Sequence, residues 1–293
     1  MGIKYLGFEE FRRRVENFRS IVENYAPTQE FNIGSEEEKF LEENPLAPII
    51  ATVCNEQIPA EYAWEFPYWL KEQLNEKKFS AETIYQLREK RIKELLKHYL
   101  EDKWPLYMGK EDRRKYLEKI SYCIIKTCEI IKDRYNNNPD NMFKRGEYIA
   151  PEIYFILRVL SGIGHKKASM IIKDFVKGEG AWYRGLKNRL SNQGINLKVE
   201  GKNLCDIPID VQIVKVYGRM MGEFKKTPSR KKFSEYWSDI QNFAKLVFPE
   251  FPGKIDDILW DVGRYYCKEY YPKCEKCPLS DVPCEYARER GQL

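Results

Sequence analysis

Four cysteines near the end of the chain constrain its fold more than any other feature. Cys267, Cys274, Cys277 and Cys284 follow a C-x6-C-x2-C-x6-C spacing and fall within 18 residues. Thiolates gathered so closely point to a metal centre. Structural zinc sites usually join two close pairs, whereas here one C-x2-C pair is flanked by two single cysteines. That spacing suits a cubane iron–sulfur cluster, in which each iron takes one thiolate from a compact loop. A zinc site and a set of unligated thiols are the alternatives.

The other four cysteines (Cys54, Cys123, Cys128, Cys205) are scattered, and their surroundings are mostly apolar. They read as buried free thiols of a reducing compartment and not as a disulfide framework. His98 and His165 are the only histidines, which argues against a histidine-ligated catalytic zinc of the hydrolytic deaminase kind. With 50 Lys+Arg against 45 Asp+Glu, the net charge of +5 says little about a polyanionic partner, so local patches must carry that argument. The first residues lack the apolar run of a secretory signal. No stretch reaches the about 20 apolar residues of a membrane span. The expectation is a soluble, cytoplasmic monomer.

Apolar residues recur at helical spacing along nearly the whole chain. Phe11, Val15, Phe18, Ile21 and Val22 predict a helix over 8–25 that Pro27 ends. Residues 28–44 read as a polar loop and a short helix. A buried helix follows from Pro45, then an aromatic helix over 62–74. Ser80 reads as the N-cap of one helix running to about residue 99. An amphipathic helix is expected over 111–134, broken by Asn136-Asn137-Asn138-Pro139. Only 195–199 alternates weakly like a strand. The fold class is all-α.

Leu160-Ser161-Gly162-Ile163-Gly164-His165-Lys166-Lys167-Ala168 joins two helical segments through a Gly-x-Gly turn. Glycine permits positive φ and removes the Cβ atoms that would keep a ligand away. The following helix start offers N–H groups to a backbone phosphate, without reading sequence. A plain helix–helix turn is the simpler alternative.

This segment resembles the helix-hairpin-helix of the endonuclease III superfamily of DNA glycosylases, with Lys166 at the position of the family's catalytic lysine. Ile207-Pro208-Ile209-Asp210-Val211-Gln212-Ile213 is similar to the apolar segment that carries the family's catalytic aspartate, and it puts Asp210 in that slot. Leu259-Trp260-Asp261-Val262-Gly263-Arg264-Tyr265-Tyr266-Cys267 resembles the approach to the family's cluster loop, and the remaining cysteines match its ending. Asn55-Glu56-Gln57 sits where the family has its S-x-Q segment. The resemblance spans 45–293 and rests on the order of these motifs.

What the resemblance implies is a two-domain helix-hairpin-helix DNA glycosylase fold with an iron–sulfur cluster loop. A helical barrel over 45–176 would carry the hairpin, 177–203 would be an insertion, and 1–44 with 204–293 would form a discontinuous cluster domain. Cys267, Cys274, Cys277 and Cys284 would hold a 4Fe-4S cluster, with Arg264, Lys268, Lys273, Lys276 and Arg288 near it to meet DNA. The partner would be double-stranded DNA with a damaged or deaminated base. Gly162, Gly164, His165 and Lys167 would contact the DNA, and Gln57 would fill the gap left by the extruded base. Lys166 would attack the sugar as a neutral amine and form a Schiff base, giving the glycosylase an associated AP lyase activity. Asp210 would stabilise the positive charge that builds on the sugar. A monofunctional glycosylase, other chemistry on an extruded base, or a non-catalytic DNA-binding iron–sulfur protein are the rival readings.

The chain departs from the family in places. Ser161 replaces the hairpin proline, and the last cysteine gap is one residue longer than usual. Lys166 and Asp210 lie 44 residues apart, farther than in the family. The insertion accounts for the excess. With seven Lys/Arg against three Asp/Glu over 173–202, it would shape the base pocket or add a DNA contact. Alternatively it is a solvated loop. Thr52 stands near the slot where the adenine-removing branch has its catalytic glutamate, which argues against that branch.

Overall fold

The computed structural model describes residues 8–26, 33–74, 78–104 and 109–291. Its helices are α1 (Phe8–Asn24), α2 (Ser35–Glu43), α3 (Ala47–Cys54), α4 (Ala60–Glu72), α5 (Ala81–Gln86), α6 (Arg88–Lys103), α7 (Lys110–Arg134), α8 (Ala150–Arg158), α9 (His165–Lys177), α10 (Ala181–Ser191), α11 (Val211–Met220), α12 (Trp237–Val247), α13 (Ile255–Asp261) and α14 (Glu285–Glu289). Strands β1 (Glu147–Ile149) and β2 (Lys198–Glu200) pair in parallel, with Tyr148 opposite Val199. The all-α expectation therefore holds. No described helix is long and apolar enough to cross a membrane. Pro27, expected to end the first helix, lies outside the described residues.

Contacts divide the chain into two units, 31–200 and a second one made of 1–30 with 201–293. The larger unit is centred on α3, whose eight residues are all buried. A helix of such uniform burial needs neighbours on every side. Phe66 and Leu70 of α4, Leu96 and Tyr99 of α6, and Ile120, Ile124 and Ile131 of α7 supply further core side chains. The smaller unit has its own apolar core. Phe18 and Val22 of α1 meet Ile213, Val214 and Tyr217 of α11, Ile240 and Phe243 of α12, and Ile258 and Leu259 of α13.

Two local features explain where helices end. Ser80 caps α5 as expected, its Oγ accepting from Thr83 N–H at 3.2 Å. The expected single helix over 80–99 is nevertheless broken, because Arg88 takes a left-handed φ of 63°. After α7, Asn136 and Asn137 both adopt left-handed φ (52° and 59°), the conformation asparagine tolerates best among residues with a Cβ. That pair turns the chain where the asparagine run predicted a break.

Of the segment 177–203, residues up to 200 form α10 and β2 within the larger unit. Trp182 and Tyr183 are buried and meet Phe175 edge-on, each with ring centroids 5.6 Å away. Gly185 lets α10 close onto α2, since a Cβ there would sit 2.1 Å from Glu42 O. Two of the segment's cations pair with carboxylates of the same unit. Arg184 bonds Glu42 and Glu38, and Arg189 makes a two-pronged pair with the buried Asp140 at 2.8 and 3.1 Å.

Candidate nucleic-acid interface and cysteine centre

In the larger unit, α8 and α9 are joined by the hairpin. Gly162 has φ +82°, and a Cβ there would stand 2.9 Å from Cys123 Cβ, so both backbone and space demand glycine. Side chains take three successive carbonyls of the turn. Thr127 Oγ1 donates to Ser161 O at 2.9 Å, Lys167 Nζ to Gly162 O at 3.0 Å, and Arg158 Nη1 to Ile163 O at 3.1 Å. With its acceptors pinned from behind, the turn is fixed. Gly164, His165 and Lys166 are exposed at the start of α9, which has no side-chain cap. A helix N-terminus of this kind favours an anion. The ring of His165 is held by the Tyr154 hydroxyl through Nδ1, with centroids 5.4 Å apart.

Lys167 is not the surface cation expected as a DNA contact. It is 7 % exposed, and its ammonium donates to Val53 O at 2.8 Å as well as to Gly162 O. The Glu56 carboxylate stands 3.7 Å away. Burial lowers its pKa below the ordinary lysine range, while Glu56 works in the opposite direction. Its position explains the burial, since Lys167 lies four residues before Ile171 on the apolar stripe of Ala168, Ile171, Ile172 and Phe175. Lys166, one step around the helix, faces outward.

Lys167 consequently staples the hairpin to the loop after α3. That loop is tied down again by Tyr116 OH donating to Cys54 O at 2.9 Å, and by Lys119 Nζ against Glu56 at 2.5 Å. At its tip Gln57 is exposed with a left-handed φ of 62°. Gln57 thus combines a left-handed backbone with exposure on a pinned loop. Thr52 is buried, and its hydroxyl donates to Pro48 O at 2.8 Å. The sequence reading missed Thr127, Arg158 and the stapling role of Lys167.

In the smaller unit, Asp210 is the N-cap of α11. Its Oδ1 accepts from Gln212 N–H at 2.8 Å and from Ile213 N–H at 3.2 Å. Gly263 keeps this helix start tightly backed, because a Cβ there would come 2.7 Å from Gln212 Cβ. Lys215 Nζ joins the same two segments through Gln212 Oε1 (2.7 Å) and Gly263 O (2.6 Å).

The four C-terminal cysteines line one small cavity of about 40 Å³, walled by Val216, Met220, Val262, Leu279 and Val282. Among the described residues, no three His, Cys, Asp or Glu side chains close into a metal-binding group. The donor chemistry nevertheless fits an iron–sulfur group, with four thiols facing one apolar space. Arg219 is 1 % exposed and donates to Cys267 Sγ at 3.4 Å and to Lys268 O at 2.9 Å. It also pairs with Glu269 at 2.9 Å and lies 4.6 Å from the centre of the Tyr286 ring. Lys215 and Arg219, four residues apart on α11, give this site buried positive charge that the sequence reading overlooked. Cys54, Cys123, Cys128 and Cys205 are buried free thiols, as expected. Burial pushes Cys54 up to about 12.

No family model matches the chain, and no curated protein sequence does. Solved structures do. A trapped endonuclease III–DNA covalent intermediate shares 15 % identity at a TM-score of 0.54, covering 98 % of this chain and 100 % of that one. A non-covalent endonuclease III–DNA complex shares 14 % identity at 0.54, covering 99 % and 100 %. A thermostable thymine-DNA glycosylase shares 13 % identity at 0.52, covering 96 % and 98 %. At these identities the likeness is one of fold, and the chain has the helical fold of the endonuclease III and thymine-DNA glycosylase structures.

Proposed function

We propose that this protein is a base-excision DNA glycosylase. It binds double-stranded DNA, extrudes a damaged or deaminated base and cleaves the bond between that base and its sugar. The observation that carries this reading is the hairpin. Its carbonyls are taken from behind, it ends in an uncapped helix start, and Lys166 is the second residue of that helix. Such a turn suits a phosphate and brings an amine beside the sugar. The solved structures of like fold, described as DNA complexes and a glycosylase, support the same direction.

In this reading Lys166 attacks C1′ as the free amine, and the base departs with the electron pair of the C1′–N bond. Loss of a proton and opening of the sugar ring leave a Schiff base. Removal of a C2′ proton then expels the 3′ phosphate and nicks the strand. Asp210 stabilises the positive charge on the sugar and accepts the proton lost by the amine. Gln57 enters the space left by the extruded base. Cys267, Cys274, Cys277 and Cys284 hold a 4Fe-4S cluster. When bound, that cluster organises the loop around it and supplies no bond-making step.

Borohydride trapping tests the proposal, using duplexes that each carry one abasic site, oxidised pyrimidine, 8-oxoguanine, uracil or hypoxanthine. A covalent adduct that disappears in Lys166→Ala is the expected result and names the preferred base. Base release without an adduct, seen as alkali-labile sites, would reassign the chain to monofunctional chemistry with water as nucleophile. Tight duplex binding without any product would leave a non-catalytic binding protein.

A further inference from the structure

Between the first two cysteines of the C-terminal set, the chain exposes two adjacent aromatic side chains. Tyr270 is 82 % and Tyr271 85 % exposed. Their backbone is fixed despite this exposure. Tyr266 O accepts both from Lys268 N–H at 2.9 Å and from Lys273 N–H at 2.8 Å, so the segment leaves and returns to a single carbonyl. Glu269 anchors the rising arm from below, bonding Arg219 at 2.9 Å and Thr227 Oγ1 at 2.7 Å. The two tyrosines occupy the tip of this pinned loop. Lys268, Lys273 and Lys276 are exposed around them. Glu269 is already engaged with Arg219, and the three lysines outnumber the exposed Glu275, which leaves the outward charge of the loop positive.

We propose that Tyr270 and Tyr271 form a stacking platform for unpaired nucleobases, making this loop a binding surface for single-stranded nucleic acid. Two observations select this partner. The surrounding lysines match a phosphate backbone and would repel a basic protein surface. The exposed ring faces match nucleobases, and tyrosine gives up little side-chain freedom on binding. Inside a duplex the base faces are covered by their neighbours. Only a frayed, gapped or single-stranded segment therefore offers what the tyrosines can grip. This function goes beyond base excision and does not depend on it.

The test is fluorescence anisotropy on the full-length protein with three probes: a labelled single strand, the matching duplex, and a single strand of the same length lacking bases. Tyr270→Ala or Tyr271→Ala should weaken the base-bearing single strand at least about fivefold, and the double variant more. Tyr270→Phe with Tyr271→Phe keeps the rings and should bind like the wild type. The strand without bases should bind weakly and respond little to either change. Lys268→Gln and Lys273→Gln should instead flatten the salt dependence, by about 0.7 in logarithmic slope for each phosphate that is no longer neutralised.

Equal single-strand affinity in the wild type and the alanine variants would overturn the proposal. So would a strand without bases that binds as well as the normal one. A concentration-dependent dimer in sedimentation, abolished by the alanine variants while single-strand affinity stays the same, would reassign the tip to a second copy of the chain. Excision assayed on the same preparations separates the two proposals. Tyrosine-dependent strand binding without any excised base would refute the glycosylase reading and leave this one standing.

Discussion

The helices that carry the two candidate catalytic residues begin in opposite ways. α9 starts after Gly164 with no side-chain cap, and Lys166 follows at its second position. α11 starts at Asp210, whose own carboxylate takes the amides of Gln212 and Ile213. One helix start has no side-chain cap, while the other is satisfied by its own carboxylate. The supports differ in the same sense. Behind α9, Thr127, Lys167 and Arg158 hold the carbonyls of the turn. Behind α11, Gly263 and Lys215 fix the first turn of the helix itself. A site that receives a phosphate needs a fixed turn with open amides. A residue that meets a developing positive charge needs a carboxylate already locked in direction, and a cap achieves that.

Replacement of Gly162 should break this contrast most severely. Alanine there would face both a left-handed φ and the Cys123 side chain, at a cost of about 2–4 kcal/mol from backbone and overpacking together. Chemical denaturation would read the lower midpoint, and duplex binding should fall with it. Asp210 comes next, and it sharpens the comparison because two substitutions separate its two roles. Asp210→Asn keeps a capping oxygen, so stability should change little while base excision slows at least about a hundredfold. Asp210→Ala should add a stability loss of about 1 kcal/mol. If the asparagine variant excises at the wild-type rate, Asp210 is only a cap.

Lys167→Met tests the staple. Two buried carbonyls lose their donor, which should cost about 1–3 kcal/mol. Duplex affinity should fall more than it does for a core substitution of equal cost, because the Gln57 loop and the hairpin are released together. Equal losses in the two variants would reduce Lys167 to a packing residue. The smallest expected effect is on pH dependence. Burial holds the folded-state pKa of Lys167 below its unfolded value. The corresponding stabilisation is therefore present above the ordinary lysine value of about 10.4 and is lost as pH falls through the folded-state pKa. Subtracting the Lys167→Met stability profile from the wild-type profile should give a difference that rises with pH in that window.

Much of this was legible in the sequence. Apolar spacing identified the first helix and most of those over 45–176, since an amphipathic helix must repeat its buried face; α10 and the helices after residue 203 were not placed by it. The asparagine run and Ser80 marked ends whose causes are local, and local causes are written in the sequence. The hairpin, Lys166, Asp210 and the cysteines were found by motif. What escaped depends on the rest of the fold. The left-handed Arg88 that divides α5 from α6 has no composition signal. Lys167 looked like a surface cation because it is a lysine, although its place on the apolar stripe of α9 was available to be read. Lys215 and Arg219 carried a similar clue, two cations four apart in an otherwise apolar helix, pointing to something negative or electron-rich opposite. The partners of Arg184 and Arg189 could not be read locally, because they lie far away in the sequence, on α2 and at Asp140.

That distance has a consequence for how the chain was assembled and how it can be taken apart. α10 touches the backbone of Glu42 at a glycine, and its arginines are matched to carboxylates that precede it by about 50 to 150 residues. α2 and α10 therefore fit only as a pair. A chimera that imports one without the other would meet a steric clash or leave charges stranded. Shortening the chain across 177–203 would strip the cover from an established helix and not merely prune a loop. An engineer exchanging parts with another protein of this fold must move the two segments as a pair.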